Sequence, residues 1–171
     1  VQRESKAARN SAGILDASTL GKIDIQGTDA SEFLNRVYTN AWSKLAIGKC
    51  RYGLMLNEDG MVYDDGVTTR LDENHYIMTT TTGGAANVLG KLEDYLQTEW
   101  PELDVYLSSV TDHYATASIC GPNSKKILNK LIPNLDLSDE SFPHMSFKNA
   151  KIDNIKCRIM RISFTGEHSY E

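Results

Sequence analysis

The chain has 171 residues, 40% hydrophobic and 24% charged, with a net charge of −5, the balance of a soluble globular protein with one sizeable core or two small interleaved ones. No apolar run reaches membrane-spanning length, and the basic residues are scattered, which argues against a nucleic-acid partner. Cys50, Cys120 and Cys157 are odd in number and lack C-x-x-C spacing, so reduced thiols of a cytoplasmic protein are expected. His75, His113, His144 and His168 lack the i, i+4 spacing of a helical metal site, so no metal is expected. With no initiator Met and no signal-peptide pattern at Val1, the chain reads as a piece of something longer.

Residues Gln2 to Ser11 are helix-compatible and stop at Gly13. Gly21 to Ile25 alternates as a strand, and Gly27-Thr28-Asp29 opens a helix with Ala30, Phe33, Leu34 and Val37 on one face. This strand, glycine turn and helix recur as Ala115 to Ile119, Gly121-Pro122-Asn123, and the stripe Ile127, Leu128 and Leu131. At one constant offset Phe33-Leu34-Asn35-Arg36 meets Ile127-Leu128-Asn129-Lys130 and Gly27 meets Gly121, a two-copy pseudo-repeat.

The stretch Arg51 to Arg70, RYGLMLNEDGMVYDDGVTTR, sets Asp64 and Asp65 directly after an apolar strand. Tyr52 to Leu56 and Met61 to Tyr63 flank Asn57-Glu58-Asp59-Gly60, which has the residues of a type I turn, so a hairpin is expected. Pairing Leu56 with Met61 puts Met55 opposite Val62 and Gly53 opposite Asp64, leaving room beside that acid. Asp64 and Asp65 must point to opposite faces, so only one lines a given pocket. Two readings compete: a carboxylate that does chemistry, or an ordinary strand exit in which Asp caps nearby backbone N–H groups.

A strand at His75 to Thr80 leads through Thr81-Thr82-Gly83-Gly84 into a helix with Val88, Leu89, Leu92, Tyr95 and Leu96 on one face. The turn lacks both G-x-G-x-x-G and a G-K-[ST] ending, which speaks against a nucleotide-phosphate loop. Its hydroxyls either wall a small heteroaromatic ligand or reflect the β-propensity of Thr. Strands follow at Leu103 to Leu107 and, after the polar connection Pro133 to Pro143, at Lys151 to Ile155 and Lys156 to Phe164. Hairpins followed by helices indicate an antiparallel α+β architecture. The expected organisation is an outer subdomain over residues 1–49, an inserted subdomain over 50–112 carrying Asp64, and a return to the outer one over 113–171.

Four motifs stand in order along the chain: Phe33-Leu34-Asn35-Arg36 with Thr39-Asn40; Met55-Leu56-Asn57 leading to Gly60 and Asp64-Asp65; Gly121-Pro122-Asn123; and Thr165-Gly166-Glu167 with Tyr170-Glu171. Together they resemble the folate-binding aminomethyltransferase family of the glycine-cleavage T-protein. The stretches Asp16 to Asp24, Val37 to Trp42, Thr79 to Gly83 and Leu96 to Pro101 resemble its branch in the α subunits of heterotetrameric sarcosine oxidases.

The resemblance implies a T-protein-like fold of two interleaved subdomains, with a third domain lying beyond Glu171. It implies an enzyme part, an oxidoreductase acting on CH–NH with tetrahydrofolate as cofactor. A flavin elsewhere oxidises sarcosine to an iminium, and this region captures the one-carbon unit as 5,10-methylenetetrahydrofolate, releasing glycine. FAD, FMN and NAD are expected only on other parts of the oxidase, whose subunits are the expected partners. In the family motif the first Asp of the pair is the catalytic anion, here Asp64, with Asp65 structural; a carboxylate there holds a cation and accepts a proton. Glu171 falls on the acid that binds the pterin, and Tyr52 and Thr81 match positions near the ligand, although Tyr52 reads equally as a core aromatic. Phe164 stands where T-proteins usually have Tyr, keeping the aromatic face and losing a hydroxyl. The isolated segment is expected to be inactive and to bind folate weakly or not at all. Two other readings stand beside this one: a non-catalytic folate-binding module, against which the K-G-C-x-x-G-Q signature is missing here, and a subunit-contact region using Trp42 and Trp100.

Overall fold

The computed structural model describes every residue from Val1 to Glu171. In chain order its elements are α1 Gln2–Asn10, β1 Gly13–Asp16, β2 Gly21–Gln26, α2 Ala30–Val37, β3 Cys50–Leu56, β4 Val62–Asp72, β5 His75–Thr80, α3 Ala85–Asp94, β6 Tyr106–Ser109, β7 Ala117–Cys120, α4 Ser124–Leu131, β8 Ser146–Ile152, β9 Ile155–Arg161 and β10 Ser169–Tyr170. All strand pairs are antiparallel, so the α+β architecture with flanking helices is the one found.

The chain divides into two units, Ser18–Tyr114 and the discontinuous pair Val1–Ala17 with Ala115–Glu171. The inner unit therefore begins at Ser18 and not at residue 50. The reason is β2, which pairs with β5 on one side and β6 on the other. A strand bonded on both edges belongs to the sheet that satisfies its backbone.

In the inner unit the sheet order is β3-β4-β5-β2-β6. Its buried face carries Ile23 and Ile25 from β2, Tyr76 and Met78 from β5, and Met55 from β3, packed with Phe33 and Leu34 of α2, Val88 and Leu92 of α3, and Trp42. The helical stripes expected from the sequence thus supply this core. Each fully buried large side chain contributes about 1.5–3 kcal/mol relative to exposure. The α3 stripe runs on through a single π-helical turn, Tyr95–Glu99, which places Tyr95 and Leu96 against the same core.

In the outer unit β1, β7 and β10 form a three-stranded sheet with β7 central, and β8 pairs with β9. Leu128, Ile132, Phe142, Ile159 and Tyr170 make its core. Strand β1, at four residues, is too short for alternation to register in the sequence. The last hairpin turns at Asp153-Asn154, two residues earlier than expected, with Ile152 opposite Ile155. Asp153 takes φ 52° there, a left-handed conformation that Asp tolerates. Similarly, β6 begins at Tyr106, later than the expected Leu103.

The pseudo-repeat is physical. Gly27 and Gly121 take φ of 136° and 106°, and a Cβ would fall 2.0 Å from the Asp104 carbonyl oxygen at the first and 2.5 Å from that of Ala8 at the second. Both turns then close alike, Ala30 N donating to Gly27 O at 3.1 Å and Ser124 N to Gly121 O at 3.0 Å, and each leads into an eight-residue helix.

Candidate active site on the β3–β4 hairpin

The hairpin turn is the one expected: Gly60 N donates to Asn57 O at 2.9 Å, with Gly60 at φ 80°. The register beyond it differs. Asn57 N donates to Met61 O, Leu56 faces Val62, and a bulge then sets Met55 opposite Asp64, Leu54 opposite Asp65 and Gly53 opposite Gly66. Turn and bulge each shift the pairing by one residue, and two single shifts restore the original faces. Asp64 therefore keeps the face of Gly53 and Met55 but does not lie across from Gly53. Nor is the pair a strand exit, since β4 continues to Asp72.

The two acids occupy different chemical settings. Asp64 is on the core face, where Met55 is buried beside it and a Cβ on Gly53 would strike Trp42. Its carboxylate is 4% exposed; Oδ1 accepts the Thr81 hydroxyl at 2.6 Å and Oδ2 the Thr81 N–H at 3.2 Å. The Thr81 hydroxyl oxygen in turn accepts Gly84 N–H at 3.1 Å, at the start of α3. The room beside the acid comes from Gly84, whose added Cβ would sit 2.6 Å from Oδ1. Asp64 thus ties β4 to the α3 turn by charge-assisted bonds. Nearby, burial and then the charges of Asp64 and Asp65 push the Tyr38 phenol above its usual value.

Asp65 points to the other face and is half-buried. Tyr52 donates its hydroxyl hydrogen to Asp65 Oδ2 at 2.7 Å and is 49% exposed, so it is no core aromatic. That bond raises the Tyr52 phenol pKa, with burial and the Asp65 charge adding to it. The two acids, expected to divide into a catalytic Asp64 and a structural Asp65, are divided here by burial and by partner. Asp64 is enclosed with both oxygens engaged, whereas Asp65 is the acid presented with a phenol partner. Thr81 joins Asp64, and Tyr52 joins Asp65. The signal that could have separated the acids was parity, since Tyr52 and Asp65 share a face in the observed register.

The other expected site residues belong to the outer unit. Phe164 is 93% exposed. Glu171 is half-buried, and its backbone pairs with Met160 through bonds of 2.7 and 2.9 Å. Glu167 of the Thr-Gly-Glu motif accepts Arg9 Nη1 at 2.9 Å, which fastens the motif to α1. Cys50, Cys120 and Cys157 form no disulfide, and no three His, Cys, Asp or Glu side chains converge in a metal-binding group. No helix is long and apolar enough to cross a membrane.

A fold of interleaved α+β units carrying an acid pair on a hairpin defines a class, and the chain belongs to it: residues 1–171 match the family model described as the GCVT N-terminal domain. Within that class, the chain is 56% identical over its whole length to the sarcosine oxidase subunit alpha of Corynebacterium sp. strain P-1, covering 18% of that subunit. It is also 33% identical to an aminomethyltransferase of Listeria monocytogenes, covering 45% of that protein. The solved glycine cleavage system aminomethyltransferase T from Bartonella henselae superposes with a TM-score of 0.83 at 25% identity, over 98% of this chain and 43% of that one. The T-protein-like fold is thereby established, and the chain spans less than half the length of each of these proteins.

Proposed function

We propose that this chain is the tetrahydrofolate-binding, aminomethyltransferase-like part of a sarcosine oxidase α subunit, capturing the one-carbon unit of oxidised sarcosine as 5,10-methylenetetrahydrofolate while glycine leaves. The observation that carries the reading is the Asp65–Tyr52 pair on a rigid hairpin, in a chain 56% identical to such a subunit. The residues suit a reduced folate: Asp65 Oδ1 accepts no hydrogen bond from the chain while Oδ2 is held by Tyr52, leaving an oriented acceptor for an N–H donor or a cation.

When bound, the folate supplies the nitrogens that take up the one-carbon unit. Asp65 holds the cationic iminium by charge and accepts the proton released as the amine attacks. Tyr52 fixes the rotamer of that carboxylate. Asp64 and Thr81 keep β4 and the α3 turn in place behind it. Glu171 would hold the pterin through its amino and ring N–H groups, and the exposed Phe164 would offer its ring face. The other oxidase subunits, with their flavins, deliver the iminium, and a cytoplasmic location follows from that assembly.

The test compares Asp65→Asn with Asp64→Asn in the assembled oxidase, following sarcosine oxidation and methylenetetrahydrofolate formation separately. Asp65→Asn is expected to lower folate product on the order of 100-fold or more while oxidation continues and the iminium hydrolyses to formaldehyde. Full product formation by Asp65→Asn with loss in Asp64→Asn would return the role to Asp64. Full product formation by both would sink the acid–base assignment.

A further inference from the structure

The outer unit contains a histidine network that the proposed chemistry does not use. Arg161 Nη2 lies 3.1 Å from His168 Nε2. A guanidinium has only donors, so Nε2 carries the lone pair and Nδ1 the proton. Nδ1–H is then the donor to Ser124 Oγ at 3.3 Å, and the Ser124 hydroxyl passes its own hydrogen to the His168 carbonyl oxygen at 3.0 Å. The same carbonyl accepts Gly121 N–H at 2.9 Å. Every polar atom in this ring has one consistent role, and the consistency requires a neutral imidazole.

The network borders a short segment whose other ties are a two-residue ladder, the Ser118–Ser169 hydroxyl contact at 3.5 Å and the buried Tyr170 ring against Phe142. Strand β10 is two residues long, Ser169 opposite Cys120 and Tyr170 opposite Ile119, and Glu171 follows on its backbone pair with Met160. The Tyr170 ring stacks edgewise on the His168 ring at 5.1 Å. Arg161 is itself fixed, with Nη1 donating to Phe142 O at 2.6 Å and pairing with Asp139 at 2.9 Å, so it does not swing aside freely.

From this geometry we infer that His168 is a positioning residue, a neutral latch that holds Ser169–Glu171 to Arg161 and the start of α4, and that its protonation releases the segment and moves the Glu171 carboxylate. A second proton on Nε2 would face the guanidinium with no acceptor between them. Arg161 from β9, Lys125 from α4 and His144 from the connection before β8 oppose that proton, and only Asp139 favours it. Burial, followed by Arg161, holds the imidazole below its ordinary value of about 6.5. The folded chain thus prefers the neutral form, and the latch contributes stability above the ordinary imidazole value that is lost as pH falls through the lowered folded one.

The consequence for folate rests on the proposed contact with Glu171, so the test has two separate readouts on the full-length protein. The first is hydrogen exchange of the 165–171 peptide between about pH 7.5 and about pH 5.5, corrected for intrinsic exchange. Wild type is expected to lose protection roughly tenfold on acidification. His168→Gln, whose amide oxygen still accepts from Arg161 and does not titrate, is expected to stay protected at both pH values, and His168→Leu to be loose at both. Flat wild-type protection, or acid-dependent loss persisting in His168→Gln, would overturn the latch. The second readout is tetrahydrofolate affinity over the same range, expected to weaken on acidification in wild type and not in His168→Gln. Exchange behaving as expected with unchanged folate affinity would uphold the latch and overturn the Glu171 contact.

Discussion

Tyr52 donates its hydroxyl hydrogen to Asp65 across 2.7 Å, on the hairpin face opposite the one that buries Asp64. Adjacent carboxylates in one strand are thus separated by the sheet itself, one enclosed by Thr81 and Gly84 and the other presented beside a phenol. The difference in setting follows from strand parity and not from any difference in residue type.

The phenol reports on the pair directly. Ionising Tyr52 breaks its bond to Asp65 and creates an anion beside a carboxylate, so its pKa lies above the ordinary value of about 10. An ultraviolet titration, with Tyr52→Phe as the subtraction control, is expected to show this phenol ionising late. Asp65→Asn should bring it back toward the ordinary value; an unchanged midpoint in that variant would show that the bond does not form.

Replacing Asp64 by Ala strands the Thr81 N–H and hydroxyl and unties β4 from the α3 turn. Loss of charge-assisted bonds at a largely buried position is expected to cost about 1–3 kcal/mol, visible as a lower denaturant midpoint with little change in slope. An undiminished midpoint would mean that Asp64 is not a structural tie.

Two glycines of the α3 region give opposite expectations for the same substitution. Gly90 is exposed in the helix with nothing within 4 Å of an added Cβ, so Gly90→Ala should stabilise by about 0.5–1 kcal/mol. Gly84 is also in a right-handed conformation, but its Cβ would press on Asp64 Oδ1 at 2.6 Å and Thr81 Oγ1 at 2.7 Å. Gly84→Ala should therefore destabilise by roughly 1–3 kcal/mol. Thermal unfolding of both variants checks the pair, and equal shifts would refute the close approach.

The repeat was legible because glycine at a left-handed turn and a three-residue apolar stripe leave marks in the sequence, as Gly27, Phe33 and Leu34 do beside Gly121, Ile127 and Leu128. Strand register was not, because the bulge after Leu56 has no residue signature and shifts the pairing one further place. The same gap hid which acid is buried: alternation separates Asp64 from Asp65 but does not say which face the helices cover. Membership of β2 in the inner sheet was equally hidden, since pairing with the distant β5 and β6 depends on contacts that local pattern does not encode.

The discontinuity of the outer unit has a kinetic consequence. Strand β1 is made before the inner unit but pairs only with β7, so it must wait, unpaired, until the whole of Ser18–Tyr114 has emerged and Ala117–Cys120 after it. The inner unit is continuous and meets no such delay, and closing so long a loop is slower than pairing neighbours along the chain. A nascent chain halted after Tyr114 is accordingly expected to resist protease over Ser18–Tyr114 while Val1–Ala17 is cut. During translation, the segment that opens the outer unit is sheltered only after the whole inner unit behind it.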